Sequence, residues 1–134
     1  MIVLDEHLSD PRLETAIARW YPGKIKLIKS LRPRTLVKDD VIPTLLQHVK
    51  QPTFVTINWP DFWHHASADK RYCIISFALI LKHIDKIPEQ LRWIFKLESF
   101  QAKAGRMGKV VRVTKELLQY YQVNDPRIHS LKLN

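Results

Sequence analysis

Short apolar runs that stop at carboxylates, with helical patterns between them, constrain this chain more than any other feature. Met1-Ile2-Val3-Leu4 ends at Asp5-Glu6-His7. Asp39-Asp40 stands before a helical pattern, and Thr53-Phe54-Val55-Thr56-Ile57 runs into Asn58-Trp59-Pro60-Asp61-Phe62. Strands that alternate with helices tend to lie parallel, so their carboxyl ends open along one edge of a sheet. Acids distant in sequence are therefore expected in one cleft. Gathered acids repel one another unless a hard cation lies between them, and such cations take oxygen ligands. The pattern points to a magnesium or manganese site (Mg2+ or Mn2+) and to phosphodiester chemistry.

The rest of the chain fits an α/β frame. Asp10 followed by Pro11 reads as a helix cap and first helical position, and Leu13, Ala16, Ile17 and Trp20 then share a face. Lys24 to Lys29 alternates charged and apolar residues, as an edge strand with one wet face does. A basic loop over 30–38 leads to a second helix with Val41, Ile42, Leu45, Leu46 and Val49 as its stripe, capped by Asp39 or Asp40. Asn58 to Lys70 reads as a loop or short irregular helix, and Tyr72 to Leu81 as a strand buried on both faces.

A third helix is expected over Pro88 to Phe100. Leu91, Ile94 and Phe95 make one apolar stripe and Trp93, Leu97 and Phe100 another, so a second subunit or a partner is expected to cover one of them. The turn at Ala104 to Gly108 precedes a strand over Lys109 to Thr114. Leu117 to Tyr121 extends that strand or forms another helical turn. Together these give a three-layer α/β/α sandwich with a mainly parallel central sheet, of Rossmann-like topology. The expected division is a single domain over 1–123 and a loose tail over 124–134.

Composition adds a bias in partners. The 134 residues carry 22 Lys and Arg against 13 Asp and Glu, a net charge of +9. A basic body around an acidic pocket suits a metal-dependent enzyme acting on nucleic acid, although a solvated basic surface gives the same count. Arg32, Arg34 and Lys38 are the candidate phosphate contacts, and Trp59 and Trp63 the candidate base platforms. The aliphatic runs are too short and too often interrupted to span a bilayer. The opening lacks the pattern of a secretory signal, which makes a cytoplasmic protein the expectation. Cys73, the single cysteine, lies in an apolar run and reads as a buried structural thiol.

In the order of these motifs the chain resembles the small PIN-like domains, relatives of the VapC-type toxin ribonucleases. The resemblance rests on Leu4-Asp5-Glu6 at the first strand end, Asp39-Asp40 at a helix start, and Thr56-Ile57-Asn58-Trp59-Pro60-Asp61-Phe62 after the third strand. It implies a metal-dependent endoribonuclease, the toxin of a toxin–antitoxin pair, with RNA as substrate and an antitoxin protein as partner. It further implies Asp5, Asp40 (or Asp39) and Asp61 as catalytic metal ligands, with Asn58 as a fourth, neutral one. Glu6 and Thr56 would stand behind them. Asn58 falls where many relatives have a carboxylate, and Trp59-Pro60 is an insertion; both depart from the family pattern.

Other readings use the same residues. A catalytically weak PIN-like module that binds nucleic acid or a protein would also carry these motifs. A phosphorylated signalling domain would want a late-strand lysine at a spacing this chain does not offer. His64-His65 invites zinc, but adjacent side chains diverge, and no Cys or further His stands at ligand spacing.

Overall fold

The structure is a computed structural model that describes residues 1–32 and 38–133. Strand β1 spans Ile2–Leu4, helix α1 Pro11–Ala18 and β2 Ile25–Leu27. A 3-10 turn at Asp39–Val41 leads into α2, Ile42–Leu46, and then β3, Thr53–Thr56. Next come the one-turn helix α3 at Trp59–Phe62, β4 at Cys73–Phe77 and α4 at Ile87–Ile94. The last elements are α5 at Lys103–Arg106, β5 at Lys109–Val113, β6 at Leu117–Gln122 and β7 at Asp125–Lys132. The strands form one sheet in the order β2-β1-β3-β4-β5-β6-β7. The first five are parallel, and β6 and β7 are antiparallel additions at one side. The fold is thus mixed α/β, with helices around a sheet that is parallel at its centre.

Side chains alternate across the pleat, and both sides of the sheet are apolar. Ile2, Leu4, Val55, Ile75 and Val111 pack with Leu13 and Ile17 of α1 and Leu91 and Ile94 of α4. Val3, Phe54, Ile74 and Val110 pack with Ile42 and Leu46 of α2 and with Phe62 and Trp63. Sequence order decides where a cleft opens. The chain leaves β1 outward to β2, then returns past β1 to β3, so the connections diverge between β1 and β3. In open α/β sheets, ligands bind outside the carboxyl ends of strands at such a switch point.

Several elements differ from the sequence reading. Asp10 caps α1 as expected, accepting from the Arg12 N–H at 2.9 Å, with Pro11 first in the helix. Neither Asp39 nor Asp40 caps α2: Val41 holds that position without a side-chain bond, and Pro43 lies in the first turn. The strand expected over Tyr72 to Leu81 stops at Phe77, and a 3-10 stretch over Leu81–Lys86 follows. Apolar continuity cannot tell a strand from the exposed apolar segment beyond it, and Ile80 and Leu81 are both 58% exposed.

The helix expected over Pro88 to Phe100 ends at Ile94, and a 3-10 turn at Glu98–Phe100 bends the chain back. That bend brings Phe100 into the core and packs Trp93, Phe95 and Leu97 against it, so much of the second stripe is used within the chain. The segment expected as a tail is β7, paired along β6 through a turn at Asn124, whose φ is +65°. Its alternation is weak because most of the strand is exposed. No helix among the described residues is long and apolar enough to cross a membrane.

Candidate functional site

Asp5 leaves β1 in extended conformation, its N–H donating to the Val55 carbonyl at 3.0 Å. Because Leu4 stands beside Val55 in the parallel register, Asp5 stands beside Thr56. Its Oδ2 accepts from the Thr56 hydroxyl at 2.6 Å, and its Oδ1 accepts from the Glu6 N–H at 2.8 Å. Thr56 Oγ1 accepts in turn from the Asn58 N–H at 3.0 Å. Asp5 is 2% exposed and Thr56 fully buried. The Asp5 carboxyl is raised above its usual range, chiefly by burial, with the Thr56 and Glu6 hydrogen bonds opposing. Glu6 itself is exposed and serves Asp5 through its backbone.

Asn58 joins the second and third acids. Its Nδ2 donates to Asp39 Oδ2 at 2.5 Å and to Asp61 Oδ2 at 2.8 Å. Trp59-Pro60 opens α3 just after Asn58. These residues make the first turn of α3, and a turn returns Asp61 to Asn58 three residues earlier. Asp39 faces inward for a similar reason. It lies three residues before buried Ile42, and a 3-10 turn has three residues per turn, so the two share a side. Asp40 is turned outward and exposed at the mouth of the same cleft. The inward member of the acidic pair is therefore Asp39.

The electrostatics record the crowding. Asp39 is pushed up to about 6 by burial first, then by its hydrogen bond to Asp61 and by the charges of Asp5 and Asp61, with Asn58 opposing. Asp61 is held below its usual range by hydrogen bonds from Asp39 and Asn58. One proton is thus shared on the Asp39 side of this pair below about pH 6. The donor set is oxygen-rich and short of positive charge, which suits a hard cation. Asp5, Asp39 and Asp61 offer carboxylate oxygens, and Asn58 offers an amide oxygen if the amide turns over. Among the described residues, no group of three His, Cys, Asp or Glu side chains already stands in metal-holding geometry. His64 and His65 are both exposed.

The basic and aromatic candidates divide. Lys38 lines the acidic cleft and is exposed, Arg32 is exposed at the end of a 3-10 turn, and Arg34 lies outside the described residues. Trp59 is 37% exposed, but Trp63 is only 5% exposed and packs on Tyr121 at 5.3 Å between ring centres. Trp63 is therefore core, and as a base platform it is withdrawn.

Sequence reasoning missed Arg112. Register aligns Thr56, Ser76 and Arg112 across β3, β4 and β5, so a polar row continues from Asp5 along one face of the sheet. The Arg112 guanidinium lies 5.3 Å from the Trp59 ring centre and 5.1 Å from that of Trp63, and it donates to Gln119 Oε1 at 2.6 Å. Its Nε and the Ser76 hydroxyl are buried without partners. The signal was a charged residue inside the apolar run Val110-Val111-Arg112-Val113, which only strand register could connect to the acids. In comparisons with known proteins, the chain matches no family model, and no similar curated protein or solved structure was found.

Proposed function

We propose that this protein is a PIN-like, metal-dependent endoribonuclease, layered as a sandwich of helices on both sides of its sheet, and that it serves as the toxin of a toxin–antitoxin pair. The observation that carries the reading is the meeting of Asp39 and Asp61 on one Asn58 amide, beside buried Asp5, at the switch point of the sheet. Asp5, Asp39 and Asp61 would hold magnesium or manganese, which when bound lowers the pKa of water and neutralises charge on a scissile phosphate. Asp40, at the mouth, is left without a ligand role. Thr56 fixes Asp5, the Glu6 N–H holds its second oxygen, and Asn58 spaces the other two acids. The cleft lined by Asp39, Asp40 and Asp61 is about 950 Å³, enough for a nucleotide of a single strand. Trp59 offers a ring face to a base, and Arg112 and Lys38 offer cations to the backbone.

A second reading is supported by one specific feature. The neutral Asn58 amide donates to both carboxylates and can hold the pair together by itself, as befits a catalytically weak module that binds RNA or a protein. The purified chain with single-stranded RNA separates the two. The nuclease cleaves it with magnesium or manganese and stops with a chelator. The module binds RNA in a salt-sensitive manner and leaves it intact under both conditions.

A further inference from the structure

A second cleft lies at the opposite edge of the sheet, where α1 and the segment before β5 lead into the amino ends of strands. Its volume is about 820 Å³, within the range of small-ligand pockets. Arg19, Arg92, Lys96, Lys103 and Arg106 line it, against one carboxylate, Glu89. Trp20, Tyr21 and Phe95 build its apolar wall, meeting edge to face with ring centres between 5.6 and 6.0 Å apart. Nothing in the acidic site uses these residues.

Arg106 decides what such a cleft can take. It is 4% exposed, and its guanidinium lies 4.0 Å from the Phe95 ring centre. Nη1 donates to the carbonyls of Phe100 at 2.8 Å and Gln101 at 3.0 Å. Nε is buried without a partner, as is Nε1 of Trp20 in the same wall. Among the described residues, no carboxylate forms a salt bridge with Arg106. A buried guanidinium held by two carbonyls and the face of the Phe95 ring loses its water, and among the described residues no carboxylate pairs with it. The field reaches neighbours: the Met1 amino group is lowered by burial and then by the charges of Lys103 and Arg106.

We propose that this cleft binds a multiply charged phosphate group, free or carried on a nucleoside. Five cations facing one acid favour a dense, multivalent anion over a single carboxylate. The Arg106 fork supplies a fixed guanidinium, while Arg19, Arg92, Lys96 and Lys103 are exposed and can close on phosphate oxygens from the rim. Phosphate can come free or on a nucleoside, and the aromatic wall would favour the latter.

The test is calorimetric titration of the full chain with pyrophosphate, with ATP and with citrate, in a metal-free buffer of about 0.15 M salt. Pyrophosphate or ATP should bind and citrate should not. Tighter binding of ATP than of pyrophosphate would assign the nucleoside as source, and equal binding would assign free phosphate. Arg92→Glu and Lys96→Glu reverse exposed charges and leave the core intact; each should weaken binding by about tenfold. Asp61→Asn should leave it unchanged, which separates this site from the acidic one. Absence of binding by both phosphates, equal binding of citrate, or unchanged affinity in both charge reversals would overturn the proposal.

Discussion

Asp39 and Asp61 meet on a single amide nitrogen, that of Asn58, at 2.5 and 2.8 Å. They come from segments on either side of β3, and the contact exists because two short helical turns bring both acids to one amide, Asp39 half-buried and Asp61 at the surface. Two carboxylates so placed cannot both ionise freely, and the pair titrates as a unit.

That coupling sets a pH dependence for the metal-free protein. Asp39 rises to about 6 from an ordinary 3.8, and Asp5 is raised as well. For an acid whose folded value is raised, the folded state binds more protons than the unfolded one between the two values. Stability therefore falls as pH rises from about 4 to about 6. Asp61, lowered, acts oppositely, and its contribution is lost only as pH falls through and below 3.8. Thermal melting in chelator should show a loss over that window, and Asp39→Asn should flatten it. A rising melting temperature across pH 4 to 6 would contradict the shared proton.

Asp5→Asn tests the nuclease reading. The substitution removes a ligand charge at nearly constant volume, so metal-dependent cleavage should fall by about a hundredfold or more. The Thr56 hydroxyl can turn to accept from the new amide, and one buried charge disappears. Stability without metal should therefore stay within about 1 kcal/mol of the parent or rise. Cleavage at parental rate would remove Asp5 from the site.

Trp59→Ala tests the substrate path. Trp59 is 37% exposed, with the Arg112 guanidinium 5.3 Å from its ring centre, so its loss should spare the fold. Stacking of one base on an aromatic ring contributes about 1–3 kcal/mol, so single-stranded RNA affinity should drop by between about fivefold and about 150-fold. Arg112→Gln should weaken binding and lower its salt dependence. Unchanged RNA affinity in both variants would place the strand elsewhere.

The parallel centre of the sheet was legible because β1, β3 and β4 are buried on both faces and read as apolar runs. The edge was less so: β7 is mostly exposed, and its pairing depends on a turn at Asn124 that alternation does not announce. In the candidate site, Asp5, Asn58 and Asp61 stand out in the sequence because strand ends and a motif mark them. The choice between Asp39 and Asp40 could not, since it turns on a 3-10 turn where a regular helix was expected. Arg112 needed the register of three strands.

Asn58→Asp probes the amide that joins the acids. It removes the donor to both carboxylates and adds a charge between them, so the metal-free protein should lose about 1–3 kcal/mol. The same change offers a hard cation another anionic oxygen, so manganese affinity should rise, and the gap in melting temperature between manganese and chelator should widen. Repulsion and ligation pull in opposite directions here, so the two measurements together are decisive. A destabilised variant with unchanged manganese affinity would mean that Asn58 holds the acids apart without facing a cation. That outcome would favour the binding module over the enzyme. A variant with tighter manganese binding and faster RNA cleavage would instead mark Asn58 as the residue that limits this site.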